Sequence, residues 1–421
     1  MFQVLSGSWA LFLGLYMLMI GNGLQGTLLG VRGGMEHFST LEMSIVMSGY
    51  FLGFLGGSRL TPEMIRRVGH VRVFAALGST ISAVLIMYPA LVTPWAWTIG
   101  RILIGFCFCG VYITAESWLN SSTTNEIRGK ALSFYLIVQM AGIVTAQYIL
   151  TLGDIGGYVL FIIPSILVSM AFAPILLSVR PTPAFASTRP LPIRRLIEAS
   201  PLACMGMFLL GGVFSAQFGM SAVYGTRAGL DISQISIFVS TIYVTALVAQ
   251  YPIGWLSDRM DRRLLIIGLG ALGGLGALIS FFGQGNYALI LVSAGVMGGT
   301  SNPLYALLIA YANDYLERED MAAASGGLLF INGLGAIAGP LALGYLMDHV
   351  GNAGYWVFIA ALMLGQAGYG AWRMTRRKSR GHGPDTVPFV PIGSGATPVA
   401  AEMLQEAKVQ SEHADQPATA A

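Results

Sequence analysis

Gly254-Trp255-Leu256-Ser257-Asp258-Arg259-Met260-Asp261-Arg262-Arg263 packs five charged side chains into ten residues. Apolar runs near 233–256 and 264–283 flank it. Each run is long enough to cross a hydrocarbon layer about 30 Å thick as one helix. A knot of charge between two such runs reads as a loop at a membrane surface. The alternation extends in both directions. Apolar runs lie near 8–30, 43–58, 73–93, 95–118, 130–152 and 157–178, then near 201–226, 233–256, 264–283, 286–312, 321–347 and 353–373. They are continuous rather than alternating, which predicts helices and argues against a transmembrane β-barrel. The fold class is therefore an all-α integral membrane protein with twelve transmembrane helices.

Composition agrees. Of the 421 residues, 55% are hydrophobic and only 10% charged, where soluble domains run near 25% charged. That leaves no room for a soluble catalytic domain. The 54 glycines read mostly as packing residues that let helices approach. The net charge of +3 is too mild for a nucleic-acid partner. Cys107, Cys109 and Cys204 lie in apolar runs without neighbouring ligands and read as buried thiols, with no metal site and no disulfide. The chain has no G-x-x-x-x-G-K-[ST] nucleotide loop, and no cofactor is expected. The first run lacks the basic flank of a signal peptide and should be retained as a span.

The basic residues set the orientation. With a cytoplasmic N-terminus, the inner loops collect Arg59, Arg66, Arg67 and Arg72, then Arg128 and Lys130, the four linker arginines, Arg259, Arg262, Arg263 and Arg318, and six more in the tail. The outer loops hold Arg32 and Arg227, and Arg101 lies within a span. So lopsided a division predicts a multi-pass inner-membrane protein with both termini cytoplasmic.

The two halves repeat. A shift of 192 positions lays Phe38, Ser44, Ile45 and Ser48 on Leu230, Ser236, Ile237 and Ser240, and Arg67 on Arg259. The expected organisation is a six-helix half over 1–179, a Pro- and Arg-rich cytoplasmic linker over 180–200, a second half over 201–373 and a disordered tail over 374–421.

The opening stretch closely resembles the G-x-L-S-D-R-x-[GD]-R-R signature of the major facilitator superfamily. Arg101-Ile102-Leu103-Ile104-Gly105 resembles that superfamily's R-x-x-x-G motif. Ala115-Glu116-Ser117-Trp118-Leu119-Asn120, Arg66-Arg67-Val68-Gly69-His70, and Gly333-Leu334-Gly335 followed by Gly339-Pro340 are similar to the YcaD-type branch. The resemblance spans about residues 8–373. It implies two pseudo-symmetric halves that alternate access to a midplane site, with helices 1, 4, 7 and 10 lining the cavity. It also implies a latch of Gly254, Asp258, Arg259 and Arg262 against the start of helix 11. A carboxylate on a helix N-terminus is a favourable pairing in its own right.

In the first half, Arg66 stands where the repeat predicts the acid, and an arginine cannot form that latch. Glu116 is the candidate compensating partner for Arg66, Arg67 or Arg128, with a proton or solute role as its alternative. Arg101, about 9 Å deep from the outer surface, is a candidate cavity residue. Asn22, Gln25, Tyr112, Gln217, Tyr224, Asn302, Tyr305 and Asn332 are the other pathway candidates, and any one amide is equally suited to a helix–helix hydrogen bond.

These readings predict a monomeric secondary transporter in the lipid bilayer, moving a small polar solute by alternating access, with proton coupling left open. A multidrug efflux antiporter is the nearer alternative, although helix 5 lacks the Gly-Pro run of the superfamily's antiporters. A membrane sensor or intramembrane enzyme is the alternative of another class, and no paired catalytic groups share one depth. Reporter fusions after Arg72, Lys130, Arg195, Arg263 and Arg380 should all report the cytoplasm. Fusions near Arg32, Asp154 and Arg227 should report the outside. One robust reversal among the inner sites would refute the topology.

Overall fold

The computed structural model describes residues 2–122, 125–176, 191–283, 285–376 and 389. Among them the first half comprises α1 (Phe2–Met35), α2 (Thr40–Val68), α3 (His70–Ala90), α4 (Pro94–Ser122), α5 (Asn125–Leu150) and α6 (Val159–Leu176). A short helix, α7 (Ile193–Ala199), lies at the end of the linker. In the second half α8 (Pro201–Ser215), a π-helical turn (Ala216–Met220) and α9 (Ser221–Arg227) form one rod. It is followed by α10 (Ile232–Ser257), α11 (Arg262–Phe282), α12 (Tyr287–Asn313), α13 (Arg318–Val350) and α14 (Ala353–Arg376). No strand occurs among the described residues. Counting that rod once, twelve rods of at least 18 residues are described, and eight are long and apolar enough to cross a membrane. α1, α2 and α13 outrun their apolar runs, because polar and charged end turns carry these helices beyond their hydrophobic segments.

The repeat is visible in how the helices start and in how they pack. Ser39 and Glu42 form a capping box at the start of α2, with Ser39 N–H donating to Glu42 at 2.8 Å. Asp231 and Gln234, 192 positions on, form the same box at the start of α10. Such reciprocal pairs satisfy N-terminal donors that the helix itself leaves open. In the first half α1 packs on α5 and α6, α2 on α4, and α3 on α4 and α6. In the second, α8 packs on α13 and α14, α10 on α12, and α11 on α12 and α14, which is the same pattern. Between the halves α2 meets α13 and α10 meets α5, as a pseudo-twofold relation requires.

Close approach is made by glycine. A Cβ at Gly53 would overlap the Ile102 carbonyl of α4, and one at Gly105 would overlap the Tyr50 carbonyl of α2. Gly298 makes the corresponding contact of α12 with α10 at Ile242. Without a hydrophobic drive between helices in lipid, such contact supplies the dispersion that holds them.

At the end carrying Arg32 and Arg227 the halves are closed together. Gly30 sits against Ala222 and Gly34 against Thr226. Arg227 spans both halves, bonding Asp348 at 2.7 Å and the Thr40 hydroxyl. At the other end, α7 docks by burying Leu196 against Gly327 and by an Arg195–Asp320 ion pair of 2.9 Å. Phe389, in the tail, is buried against Gly254. The other tail residues beyond Arg376 and linker residues 180–190 lie outside the described residues.

Gly53→Val or Gly105→Val should cost about 1–3 kcal/mol or more through overpacking. The expected readout is a lower melting temperature or loss of a monodisperse peak in detergent. Gly268→Ala, where nothing lies within 4 Å, should leave both unchanged or improved.

Candidate functional site

Between the halves lies a cavity of about 150 Å³, walled by α1, α2, α4 and α5 on one side and α8–α10 and α13 on the other. Its lining runs from Thr27 and Ala222, below the closed end, to Ser58 and Leu329 toward the opposite end. No Asp or Glu lines it among the described residues.

The first-half wall carries a connected polar network. Arg101 on α4 is 2% exposed, so its guanidinium must be satisfied by protein groups or by a ligand. Its Nη1 donates to Gln25 Oε1 at 2.8 Å, its Nη2 faces Met47 Sδ at 3.4 Å, and it lies 4.8 Å from the Tyr50 ring centroid. Its Nε has no hydrogen-bond partner among the described residues. Gln25 donates in turn to Asn22 Oδ1 at 3.2 Å. Asn22 Nδ2 donates to the Tyr112 hydroxyl at 2.8 Å and to the Tyr50 hydroxyl at 3.2 Å. The i, i+3 spacing of Asn22 and Gln25 puts both on one face of α1. α2 and α4, brought together by glycine, bring Tyr50 and Arg101 opposite that face.

The second-half wall is more apolar. Gln217, within the π-helical turn, donates to Ser301 Oγ at 2.8 Å, while its Oε1 is unpartnered among the described residues. Phe218 stacks on Tyr243 at 5.2 Å. Phe51 and Phe54 face them across the cavity.

Of the residues singled out in the sequence, Arg101, Asn22, Tyr112, Gln217 and Asn332 line this cavity, and Gln25 joins it through hydrogen bonds. Asn332 also donates to the Met207 carbonyl at 2.9 Å, a helix–helix bond. Three candidates are placed elsewhere. Tyr224 accepts from Trp356 Nε1 at 2.8 Å and stacks on Tyr355 inside the second half. Tyr305 packs behind Phe214, and Asn302 is buried with neither amide atom bonded among the described residues. All three lie within spans, but the rotation of their helices turns them away from the cavity. Tyr50 and Tyr243 line it and escape a sequence reading centred on helices 1, 4, 7 and 10. A hydroxyl-bearing aromatic in the middle of an apolar run was the available signal.

The expected pairing of Glu116 with Arg66 or Arg67 does not form. Both arginines bond Glu63, at 2.7–2.9 Å, in the i, i+3 and i, i+4 positions of their own helix. A local pair needs no tertiary alignment and leaves the charges in water, so it wins. The two guanidiniums hold the Glu63 carboxyl down at about 2. Its folded pKa is depressed, so the pairing persists above that value and is lost only as the pH falls through it. Glu116 is fully buried and accepts from the Tyr135 hydroxyl at 2.9 Å. The side chain of Arg128 lies outside the described residues.

α10, which leads into the Asp258 loop, packs along α5, and α13, the expected latch partner, packs along α2 and α8. Arg262 is drawn into its own half, bonding Asp314 at 2.6 Å and lying 3.9 Å from Asp258. Arg259 lies over the Trp255 ring at 4.2 Å, and Gly254 receives the Phe389 ring.

Replacing Gln25 by Leu removes an acceptor from the buried guanidinium. Stability should fall by about 1.5–3 kcal/mol, the range for hydrogen bonds to charged groups, measured as detergent or urea unfolding. An unchanged transition would show that Arg101 has another acceptor ready.

The profile described as Major Facilitator Superfamily matches residues 202–401. An uncharacterized MFS-type transporter of Enterobacter sp. (strain 638), Ent638_1421, is 26% identical over 357 residues, covering 84% of this chain and 92% of that protein. The uncharacterized MFS-type transporter YcaD of Escherichia coli O45:K1 is 24% identical over 381 residues, covering 90% and 97%. Among solved structures, the nucleoside transporter NupG superposes with a TM-score of 0.71 at 14% identity, covering 90% of this chain and 100% of NupG. An inward-facing, unoccupied bacterial homologue of the human lysosomal transporter Spinster superposes with a TM-score of 0.65 at 12% identity, covering 96% and 98%. The profile match, the YcaD-type relatives, the repeated helix packing and the signature loop together support a multi-pass membrane transporter of the major facilitator superfamily, similar to its YcaD-type members.

Proposed function

We propose that this transporter moves a small organic anion by alternating access, with Arg101 as the counter-ion. The observation that carries the reading is the Arg101 guanidinium, buried at the cavity wall with no acid lining that cavity among the described residues. A buried cation without a carboxylate is costly, and a bound anion would relieve that cost. Gln25, Asn22 and the two tyrosines would orient the anionic group, and Phe51, Phe54 and Phe218 would receive an apolar body. An acid-free wall argues against a cationic drug as cargo.

The Arg66 and Arg262 end faces the cytoplasm in this reading, as do both termini, and the closed Arg32/Arg227 end faces outward. The state described is then inward-facing. The halves at 1–179 and 201–373 move as units about the linker at 180–200, and the protein works as a monomer. Neutralisation of Asp258 would weaken closure at the cytoplasmic end, through α5. Proton coupling would use Glu116, one turn from Tyr112 on α4 and bonded by Tyr135.

Proteoliposome uptake of a panel of organic acids, amino acids, sugars and nucleosides, with and without a pH gradient, tests this. Organic acids should be taken up, and Arg101→Gln should reduce that uptake by at least about tenfold while expression persists. Arg101→Lys should retain part of it, since the charge remains without the planar fork. Uptake of a neutral sugar that survives Arg101→Gln would overturn the assignment.

A further inference from the structure

Phe389 lies 13 residues beyond the end of α14, yet only 4% of it is exposed. Its ring seats on Gly254, where a Cβ would lie 2.6 Å from Phe389 Cδ1 and 2.8 Å from Cε1. Its backbone N–H donates to Asp258 Oδ1 at 2.8 Å. One residue therefore uses both features of the signature loop at once. The glycine supplies the space for the ring, and the aspartate supplies the acceptor. The seat is apolar on one side and anionic on the other.

The carboxylate it engages is the one the closed cytoplasmic end needs. α10 ends at Ser257 and α5 begins at Asn125, at the same face of the bundle, and the two helices pack together. A carboxylate already accepting from the Phe389 amide is a weaker partner for the N-terminal donors of α5. In this structure the opposite end is the closed one, with Gly30 on Ala222 and Arg227 bridging the halves.

We propose that Phe389 is an internal ligand of the Gly254–Asp258 seat, and that its docking competes with the first half for Asp258 and favours the inward-facing state. Seating is differential between the two states, as any switch requires. The tail then restrains turnover until something withdraws it. This rests on the alternating-access reading above, and two separate readouts keep the two apart.

The first readout is docking, which needs no solute. In full-length protein, a photoreactive phenylalanine analogue in place of Phe389, which keeps the ring, should crosslink to α10 at the seat, and adding Gly254→Leu, which fills the seat, should abolish that crosslink. Absence of the crosslink with Gly254 in place would overturn the docking itself. The second readout is state. With Ser58→Cys at the cavity wall, labelling from the cytoplasmic side reports inward opening. Phe389→Ala, or a chain ending at Arg376, should slow that labelling by about tenfold, commensurate with the burial of one phenyl ring. A synthetic peptide of residues 384–394 should restore it to the truncated chain. The proposal is overturned if the Ser58→Cys protein labels equally with and without the tail while the crosslink from position 389 to the seat still forms. The tail would then be docked but without control over the switch. Failure of organic-acid uptake alone would count against the cargo and leave this inference standing.

Discussion

A backbone N–H or C=O in hydrocarbon has no water to bond, and the architecture of this protein follows from that. Twelve rods satisfy their own backbones by local hydrogen bonds, and the exposed ends are capped by side chains, as at Ser39–Glu42 and Asp231–Gln234. Because lipid is as apolar as leucine, the rods gain nothing by hiding hydrophobic faces from it. They associate where glycine lets backbones touch, and Gly53 with Gly105 brings α2 onto α4. That contact carries Tyr50 and Arg101 to the inner wall. The polar chemistry of the cavity thus rests on the least polar residues of the chain.

The same solvent makes Arg101 the most demanding side chain in the bundle. Gln25, Met47 and the Tyr50 ring surround it, each a neutral group. Neutral partners satisfy donors without cancelling charge, and that difference underlies the preference for an anion proposed above. Asn22 extends the network to Tyr112. The opposite wall, with Phe218 stacked on Tyr243, supplies surface rather than charge. The asymmetry between walls is notable in a duplicated fold. The helix contacts repeat from half to half, while the side chains facing the cavity do not.

At the charged end, several of the charges are paired locally. Glu63 holds Arg66 and Arg67 within one helix, and Asp261 caps α11 while bonding Arg263 two residues on. These pairs form with little entropic cost and are independent of the state of the bundle. Asp258 differs, because its partner Phe389 comes from 131 residues away. A contact of that kind can be made or withdrawn without disturbing a helix, so it is suited to regulation in a way that the Glu63 cluster is not.

The sequence by itself determined the all-α membrane class, the positions of the twelve rods, the duplication and the likeness to the major facilitator superfamily. These depend on hydropathy, on charge at loop positions and on a local signature, all of which are written in order along the chain. It also singled out Arg101, because a lone arginine in an apolar run is conspicuous without any structure. What only the tertiary structure decided was rotation and pairing. Tyr224, Asn302 and Tyr305 lie within spans but face away from the cavity. Tyr50 and Tyr243 face it from helices that the family pattern did not nominate. The Phe389 seat had no sequence signal, since the aromatic residue and the glycine that admits it are far apart in the chain. Depth is a property of position along one helix, whereas facing is a property of two helices packed together, and a single sequence fixes the first without the second.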